Sequence, residues 1–273
     1  MKSDTLPRGG GWVVRTNRSD GTYSNAVAPD SRPPSPLHSR AMTLFPHASI
    51  RGLTTFAPPD AAEMTDMLAG SAGVLVAINA EKIAHADPLI ADLTARHLGY
   101  PDGIGTVMAL RRRGVPATRM PGADLWLTIL RRYAGERSFL LVGGADDVIQ
   151  AVTKRLLRQY PGIRMRSRNG YLSEADVQAL ATEIGDWRPD FVFVAMGSPR
   201  QEILMDRLFL AHPAVYMGLG GSFDIYAGRK PRAPRWVQGI GMEWAYRLLR
   251  EPVRLRRLPT YVRFAAMLVT GRY

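Results

Sequence analysis

The segment that decides the fold is DFVFVAMGSPRQE, residues 190–202. Its first half is an almost uninterrupted apolar run, which is typical of a strand buried on both faces, here over residues 190–195. Gly197 ends the run, and Pro199 suits the first turn of a helix, predicted over about 200–210. A buried strand, a glycine turn and a helix are the repeating parts of a parallel α/β sheet.

Similar apolar runs occur elsewhere in the chain, and they predict strands at residues 74–78, 138–142 and 214–217. Helical patterns follow the first two, over about 80–97 and 145–159. Strands that alternate with helices predict an α/β fold, a Rossmann-like, mostly parallel sheet with helices on both faces. Ligands of such sheets bind beyond the carboxyl ends of the strands, where the glycine turns fall.

Composition divides the chain into three parts. Residues 1–41 hold six Ser, five Pro and four Gly without apolar periodicity, which predicts a disordered leader. Residues 42–228 are predicted to form the Rossmann-like body. In residues 229–273, four prolines predict short helical pieces, a helical appendage rather than further sheet units.

Charge is distributed unevenly over these parts. The body carries nineteen Lys and Arg against nineteen acids, whereas residues 229–273 carry eleven against two. The chain has no cysteine, no apolar signal segment and no apolar run long enough to span a bilayer. We therefore expect a cytoplasmic protein whose basic appendage holds it peripherally on the inner face of the membrane, an anionic surface.

The glycine turns are candidates for nucleotide binding, because glycine admits close backbone approach and a helix start offers free N–H groups to phosphate. An ordinary capped helix start is an equal alternative, since neither a Walker motif nor a complete GxGxxG is present. The candidate residues are Gly143, Gly144, Gly197, Ser198, Pro199, Arg200 and Glu202.

Two further polar residues are candidates for the site. Asp102 lies in a glycine-containing turn and Asn79 ends the first strand, although both could simply cap helices. The five histidines are scattered and no Asp-x-Asp follows a strand, so we expect no metal.

The appendage repeats arginine at a helical spacing, at Arg247, Arg250, Arg254 and Arg257. On one helical face these side chains could bind a diphosphate, since guanidinium groups bind phosphate oxygens bidentately. A solvated charged face is the usual alternative. Apolar contact with a membrane is expected from Trp244, Leu248, Phe264 and Leu268.

Several motifs occur in the order found in one known family. They are GSPRQE at 197–202, GGSFD at 220–224, Arg232-Ala233-Pro234, Glu243-Trp244 and Glu251-Pro252. From about residue 73 to 263 the chain resembles the WecG/TagA/CpsF family of glycosyltransferases, glycosyltransferase family 26.

The resemblance implies inverting, metal-independent transfer from a UDP-sugar, without a cofactor, to an undecaprenyl-diphosphate-linked saccharide. By position in the motifs, Asp102 corresponds to the proposed base, and Asn79, Arg119 and Gln201 to polar residues of its pocket. Tyr171 and Asp224 correspond to nucleotide contacts, and Arg232 joins the appendage arginines as a contact of the lipid diphosphate. Ala77 stands where the family commonly has Thr.

The donor sugar is left open between a hexose and N-acetylmannosamine, and Ala77 favours the exopolysaccharide branch of the family. One alternative is a non-catalytic membrane scaffold of the same fold. An RNA-binding protein is the other, but the neutral body argues against nucleic acid. A homo-oligomer also remains open.

Overall fold

The computed structural model describes residues 32–273. Eight strands of this part form one sheet: β1 (His47–Ile50), β2 (Leu53–Phe56), β3 (Gly73–Ile78), β4 (Leu98–Pro101), β5 (Ser138–Gly143), β6 (Arg164–Arg168), β7 (Phe191–Ala195) and β8 (Val215–Gly218). Their order is β1-β2-β4-β3-β8-β7-β5-β6, and every neighbouring pair except β1 and β2 is parallel. The predicted α/β fold with a mostly parallel sheet is confirmed.

Helices cover both faces of the sheet. They are α1 (Pro36–Leu44), α2 (Ala61–Met67), α3 (Ala80–His85), α4 (Pro88–Arg96), α5 (Ile104–Arg112), α6 (Gly122–Tyr133), α7 (Asp146–Gln159), α8 (Glu174–Trp187), α9 (Arg200–Ala211), α10 (Ser222–Tyr226), α11 (Arg235–Gly239), α12 (Glu243–Arg250), a 3-10 helix (Pro252–Arg257) and α13 (Leu258–Thr270).

Strand β7 shows how the two cores form. Phe191 and Phe193 pack into one core with α1, α2, α6, α7 and α10. Val192 and Val194 face the other core, with α3, α4, α5, α8, α9 and α13. Successive side chains of a strand point to opposite faces, so a strand covered on both sides must be apolar throughout.

The side on which successive strands are added changes in the middle of the sheet. The chain passes from β3 outward to β4, and then crosses to β5 in the other half. Strands β3 and β8, which lie side by side, therefore belong to the two different halves. Crevices at such switch points, beyond the carboxyl ends, are where these sheets bind ligands.

The predicted leader is too long. Residues 1–31 lie outside the described part, but α1 includes residues predicted as disordered. Ser35 caps α1 by accepting a hydrogen bond from the His38 N–H, and Pro36 occupies its first turn. Leu37 and Ala41, four residues apart, are fully buried in the core. Folded structure thus begins before residue 42, because one helical turn carries two apolar residues to the sheet.

The helix predicted over residues 80–97 is two helices. Ala86 adopts a left-handed conformation that ends α3, and Asp87 caps α4, which begins at Pro88. The residue before a proline avoids the helical region, so the chain breaks there.

The predicted appendage forms α11, α12, the 3-10 helix and α13. Helix α13 packs on the body beside α3, with Phe264 and Leu268 only 6% and 7% exposed. The expectation that Phe264, Leu268 and Leu248 face a membrane is wrong, since all three are buried against protein. Within residues 32–273 no helix is both long and apolar enough to cross a bilayer.

A buried ionic cluster ties α9 to the N-terminal segment and to α4. The Asp206 carboxylate accepts hydrogen bonds from Arg32 at 2.9 Å and from Arg96 at 3.2 Å, and Arg96 also binds Asp92. Burial alone would raise the pKa of Asp206, but hydrogen bonds from His97 and Arg32 and the charge of Arg96 lower it well below 3.8. This stabilisation is present above the usual aspartate pKa and is lost as the pH falls below it.

We expect Asp206→Asn to lower the free energy of unfolding by about 3 kcal/mol, because it leaves buried guanidinium groups without their shared counter-charge. Thermal unfolding followed by circular dichroism measures the change. Glu174→Gln is the matched control. Glu174, on α8, forms a surface ion pair with Arg207, which lies on α9 like Asp206. Equal effects of the two substitutions would contradict the role of burial.

Candidate functional site

Asn79 and Asp102 lie together, one residue beyond the ends of the neighbouring strands β3 and β4. The last residues of these strands, Ile78 and Pro101, are paired, and the Asp102 N–H donates to the Ile78 carbonyl at 3.0 Å. Asn79 also caps α3, because its Oδ1 accepts from the Lys82 N–H at 3.0 Å. The structure therefore joins two residues that are 23 positions apart in the chain.

Asp102 does not cap the helix that follows it, since Gly103 is the N-cap of α5. Its Oδ1 instead accepts from the Gly122 N–H at 2.7 Å, at the start of α6. A helix start stabilises negative charge, because its first N–H groups are unused within the helix. A Cβ on Gly122 would lie 3.4 Å from this Oδ1, an ordinary contact distance.

Tyr100 forms part of the floor beneath Asp102. Its side chain is fully buried, and its hydroxyl would lie 2.9 Å from a Cβ on Gly122. Burial, together with the charges of Asp102 and Glu202, raises the pKa of Tyr100 well above 10. The hydroxyl is therefore protonated at neutral pH. It has no hydrogen-bond partner among the described residues.

Gln201 and Glu202, at the start of α9, point into the protein. Gln201 is buried; its Oε1 accepts from the Gly220 N–H at 2.8 Å, and its Nε2 donates to Glu202 at 3.1 Å. Glu202 is 1% exposed and forms an ion pair with Lys82 at 2.7 Å. The buried carboxylate is bound to Lys82 and is turned away from solvent, so nothing in this arrangement supports the nucleotide contact expected of Glu202, and that contact stays a prediction.

The two glycines that end β5 bring three strand ends close together. Gly143 and Gly144 have φ angles of 140° and 71°, which favour glycine. A Cβ on Gly143 would lie 2.3 Å from the Ala195 carbonyl oxygen of β7. A Cβ on Gly170, which follows β6, would lie 3.0 Å from the Gly143 Cα. The backbones therefore pack here without intervening side chains.

The turn after β7, at the same edge of the sheet, is open to solvent. Gly197 has a φ of 78°, and Ser198, Pro199 and Arg200 are exposed at the start of α9. Tyr171, beyond the neighbouring end of β6, is 75% exposed. These predicted nucleotide contacts therefore share one edge of the sheet with Gly143 and Gly144, and nucleotide binding by them stays a prediction.

Arg119 and Arg232 attach the C-terminal segment beside Asp102. Arg119 donates to the Gln238 carbonyl at 2.7 Å, and Arg232 forms two hydrogen bonds of 2.6 and 2.5 Å to Asp124. Asp124 lies in the first turn of α6, whose first N–H binds Asp102. The C-terminal segment is thus fastened to the helix that orients this carboxylate.

Asp224, the second predicted nucleotide contact, lies in α10 beyond the turn that follows β8. The carboxylate is partly exposed and its Oδ1 lies 3.8 Å from the Lys230 Nζ. A carboxylate accepts hydrogen bonds and repels phosphate oxygens, so a nucleotide contact of Asp224 would be to a hydroxyl or N–H donor, and that contact stays a prediction.

The arginine repeat of the appendage does not lie on one continuous helix. Helix α12 ends at Arg250 and a 3-10 helix begins at Pro252, because proline lacks the N–H that the helix needs to continue. Arg250 is exposed near the Tyr246 ring, and Arg257 binds Glu81 of α3 at 2.9 Å. The side chains of Arg247 and Arg254 lie outside the described part, so their predicted diphosphate contact stays a prediction.

Sequence reasoning missed Lys82 and Tyr100. Lys82 is one of four lysines in a chain with 36 Lys and Arg, and it follows Asn79 by three residues. The rarity of lysine and its spacing from Asn79 were the features of the sequence that could have identified Lys82. Tyr100 had no such feature, because its apolar neighbours predict an ordinary buried aromatic residue.

No three His, Asp or Glu side chains gather in residues 32–273 as metal ligands would.

The chain matches the sequence model of a known family. Residues 52–273 match the sequence model of the family described as Glycosyl transferase WecG/TagA/CpsF family. The match includes β3 to β8, the corner with Asn79 and Asp102, and the C-terminal helices. The resemblance inferred from the motifs is confirmed.

Gly143→Ala should lower the free energy of unfolding by about 3 kcal/mol, because its φ is unfavourable and its Cβ would meet the β7 backbone. Gly162→Ala is the matched control: its φ is 83°, but no atom lies within 4 Å of the added Cβ. The control should cost about 1 kcal/mol, the strain alone. Chemical denaturation measures both, and equal losses would show that the strand ends are not closely packed.

Proposed function

The chain belongs to the WecG/TagA/CpsF family of glycosyl transferases, and on that premise we propose the reaction it performs. It transfers a sugar from a UDP-sugar, either a UDP-hexose or UDP-N-acetylmannosamine, to an undecaprenyl-diphosphate-linked saccharide. The product is a repeat unit of a bacterial surface polysaccharide or exopolysaccharide. The family itself supports the coarser statement, a glycosyltransferase of polysaccharide biosynthesis.

The observation that carries the proposal is the position of Asp102. Its carboxylate lies beside Asn79 at the strand ends, on the sheet edge that also holds the open Gly197 turn. A carboxylate here can accept the proton of an acceptor hydroxyl as that oxygen attacks the anomeric carbon of the donor. A single displacement of this kind inverts the anomeric configuration.

The leaving group is a nucleoside diphosphate, which gains negative charge as the sugar departs. Arg200 and the exposed start of α9 can stabilise that charge, because both offer N–H donors and positive potential at the same turn. We propose that this arrangement serves in place of a divalent metal ion. The transfer assay is therefore run with and without EDTA, and loss of turnover restored by Mg²⁺ would refute metal independence.

The experiment that tests the function is a mass-spectrometric assay of purified protein. It combines UDP-hexoses, UDP-hexuronic acids and UDP-N-acetylhexosamines with polyprenyl-diphosphate-linked sugars. A mass increase of one sugar residue on the acceptor supports the proposal. Absence of product with every pair would favour the alternative of a non-catalytic scaffold.

Asp102→Asn should lower turnover roughly 10²–10⁴-fold, since an amide cannot accept the proton. The fold should be kept, because an amide oxygen can still accept the Gly122 N–H. Asp87→Asn is the matched control: Asp87 caps α4 at the surface, and Asn caps helices equally well. Near-normal turnover of folded Asp102→Asn would remove Asp102 from the mechanism.

We further propose that the C-terminal segment docks on an anionic membrane, through side chains other than those first expected. Trp236 and Leu249 are 71% and 83% exposed, and Ile240 and Val262 are also exposed. Exposed arginines flank them at 235, 250 and 263. Apolar side chains beside cations are typical of segments that lie in a membrane interface. Helix α11, which carries Trp236, is bound to Arg119 through the Gln238 carbonyl, and the next residue, Met120, donates to the carbonyl of Pro101 beside Asp102.

Trp236→Ser combined with Leu249→Ser should weaken binding to anionic vesicles about 100-fold, since each side chain contributes roughly 1.5 kcal/mol of apolar contact. Co-sedimentation with phosphatidylglycerol vesicles measures binding. Leu210→Ser is the matched control, because Leu210 is also exposed but lies on α9. If the control weakens binding equally, or the double variant binds normally, the docking surface is wrongly assigned.

A further inference from the structure

Lys82 joins two features of the β3 end. Its Nζ donates to the Ala77 carbonyl of β3 at 2.9 Å, and its backbone N–H binds the Asn79 side chain at 3.0 Å. The same Nζ lies 2.7 Å from Glu202 Oε1, with the two side chains 9% and 1% exposed. One buried lysine therefore connects the capping residue of the site with the start of α9.

The network continues from Glu202 to the end of β8. Glu202 Oε1 accepts a second hydrogen bond from Gln201 Nε2, and Gln201 Oε1 accepts from the Gly220 N–H. Gly218 is packed against the same glutamine, since a Cβ there would lie 2.5 Å from Gln201 Nε2. Four residues thus link the ends of β3, β7 and β8, the strands around the switch point of the sheet.

Stability alone does not account for this ion pair. Removing two charges from water costs several kcal/mol per ion, and apolar pairs of similar volume often stabilise a protein as well or better. Glu202 Oε2 is also buried without a hydrogen-bond partner among the described residues, which a pair selected for stability would avoid. What the pair provides is a fixed geometry, because Lys82 is bound directly to the end of β3 and Glu202 is bound through Gln201 to the turn after β8.

We propose that the Lys82–Glu202 ion pair positions the active site, holding Asn79 and the Gly218–Gly221 turn in register beside Asp102. The inference rests on the proposed glycosyl transfer and extends it to two residues that do not touch the substrate. Displacement of reacting groups by about 1 Å can lower a rate about 100-fold, so loss of the network should act on turnover.

The test is the double variant Lys82→Met/Glu202→Leu, which removes both charges at similar volume. We expect a Tm within about 4 °C of the parent protein, turnover lowered about 10- to 100-fold, and little change in KM for the UDP-sugar. Hydrogen exchange of the 218–221 backbone should become faster, because Gln201 loses the carboxylate that braces it. A purely structural pair predicts the opposite, a lower Tm with unchanged turnover and exchange, and that result would overturn the proposal.

The exchanged pair Lys82→Glu/Glu202→Lys tests whether any ion pair at these two positions is sufficient. It retains an ion pair but leaves no carboxylate at position 202 for Gln201 to donate to, so turnover should stay low. Full recovery of turnover would overturn the positioning role. Arg207→Met/Glu174→Leu, at a surface pair of α9 and α8, is the matched control and should leave turnover unchanged. Should the first variant not fold, Lys82→Met/Glu202→Gln replaces it, because it leaves no unpaired buried charge and still releases residue 82 from Ala77 and from residue 202; the same decrease in turnover is expected.

Failure of the two proposals can be told apart. If the parent protein transfers no sugar from any donor, the proposed function fails. Exchange at residues 218–221 is measured without substrate, so it still decides the network: faster exchange in the variant supports it, and unchanged exchange overturns it.

Discussion

Both faces of the parallel sheet are buried, and this constraint determines where polar chemistry can occur. In β7 the phenylalanines fill one core and the valines fill the other, so no side chain of the strand is available to a ligand. Polar groups are consequently found where strands end and backbone N–H and C=O groups are free. Asn79, Asp102 and the glycine turns all occupy such ends, on one edge of the sheet.

Helix α9 connects this edge to the rest of the molecule through buried charge. Its two buried carboxylates, Glu202 and Asp206, are four residues apart and therefore lie on one helical face. Glu202 binds Lys82 near the carboxyl ends of the strands, whereas Asp206 binds Arg96 and Arg32 one helical turn further on. The cluster at Asp206 fixes the helix against α4, and this fixes the direction from which Gln201 reaches the Gly220 backbone.

The C-terminal segment has two surfaces with different tasks. Its inner side completes the body, since Phe264 and Leu268 pack beside α3 and Arg119 binds the Gln238 carbonyl. Its outer side exposes large apolar groups among arginines. A charge count cannot distinguish these sides, because Phe264 and Val262 differ only in the direction in which one helix presents them.

Local residue patterns by themselves determined the strands β3, β5, β7 and β8, their parallel arrangement and the edge that carries the candidate site, because apolar runs and glycine turns act over a few residues. Motif order also identified the family and pointed to Asp102, Asn79 and Gln201. Only the tertiary structure turned Glu202 inward onto Lys82 and placed Tyr100 beneath Asp102. These outcomes depend on contacts between segments up to 120 residues apart, such as Lys82 with Glu202, and no local pattern encodes which distant partner a buried charge will meet.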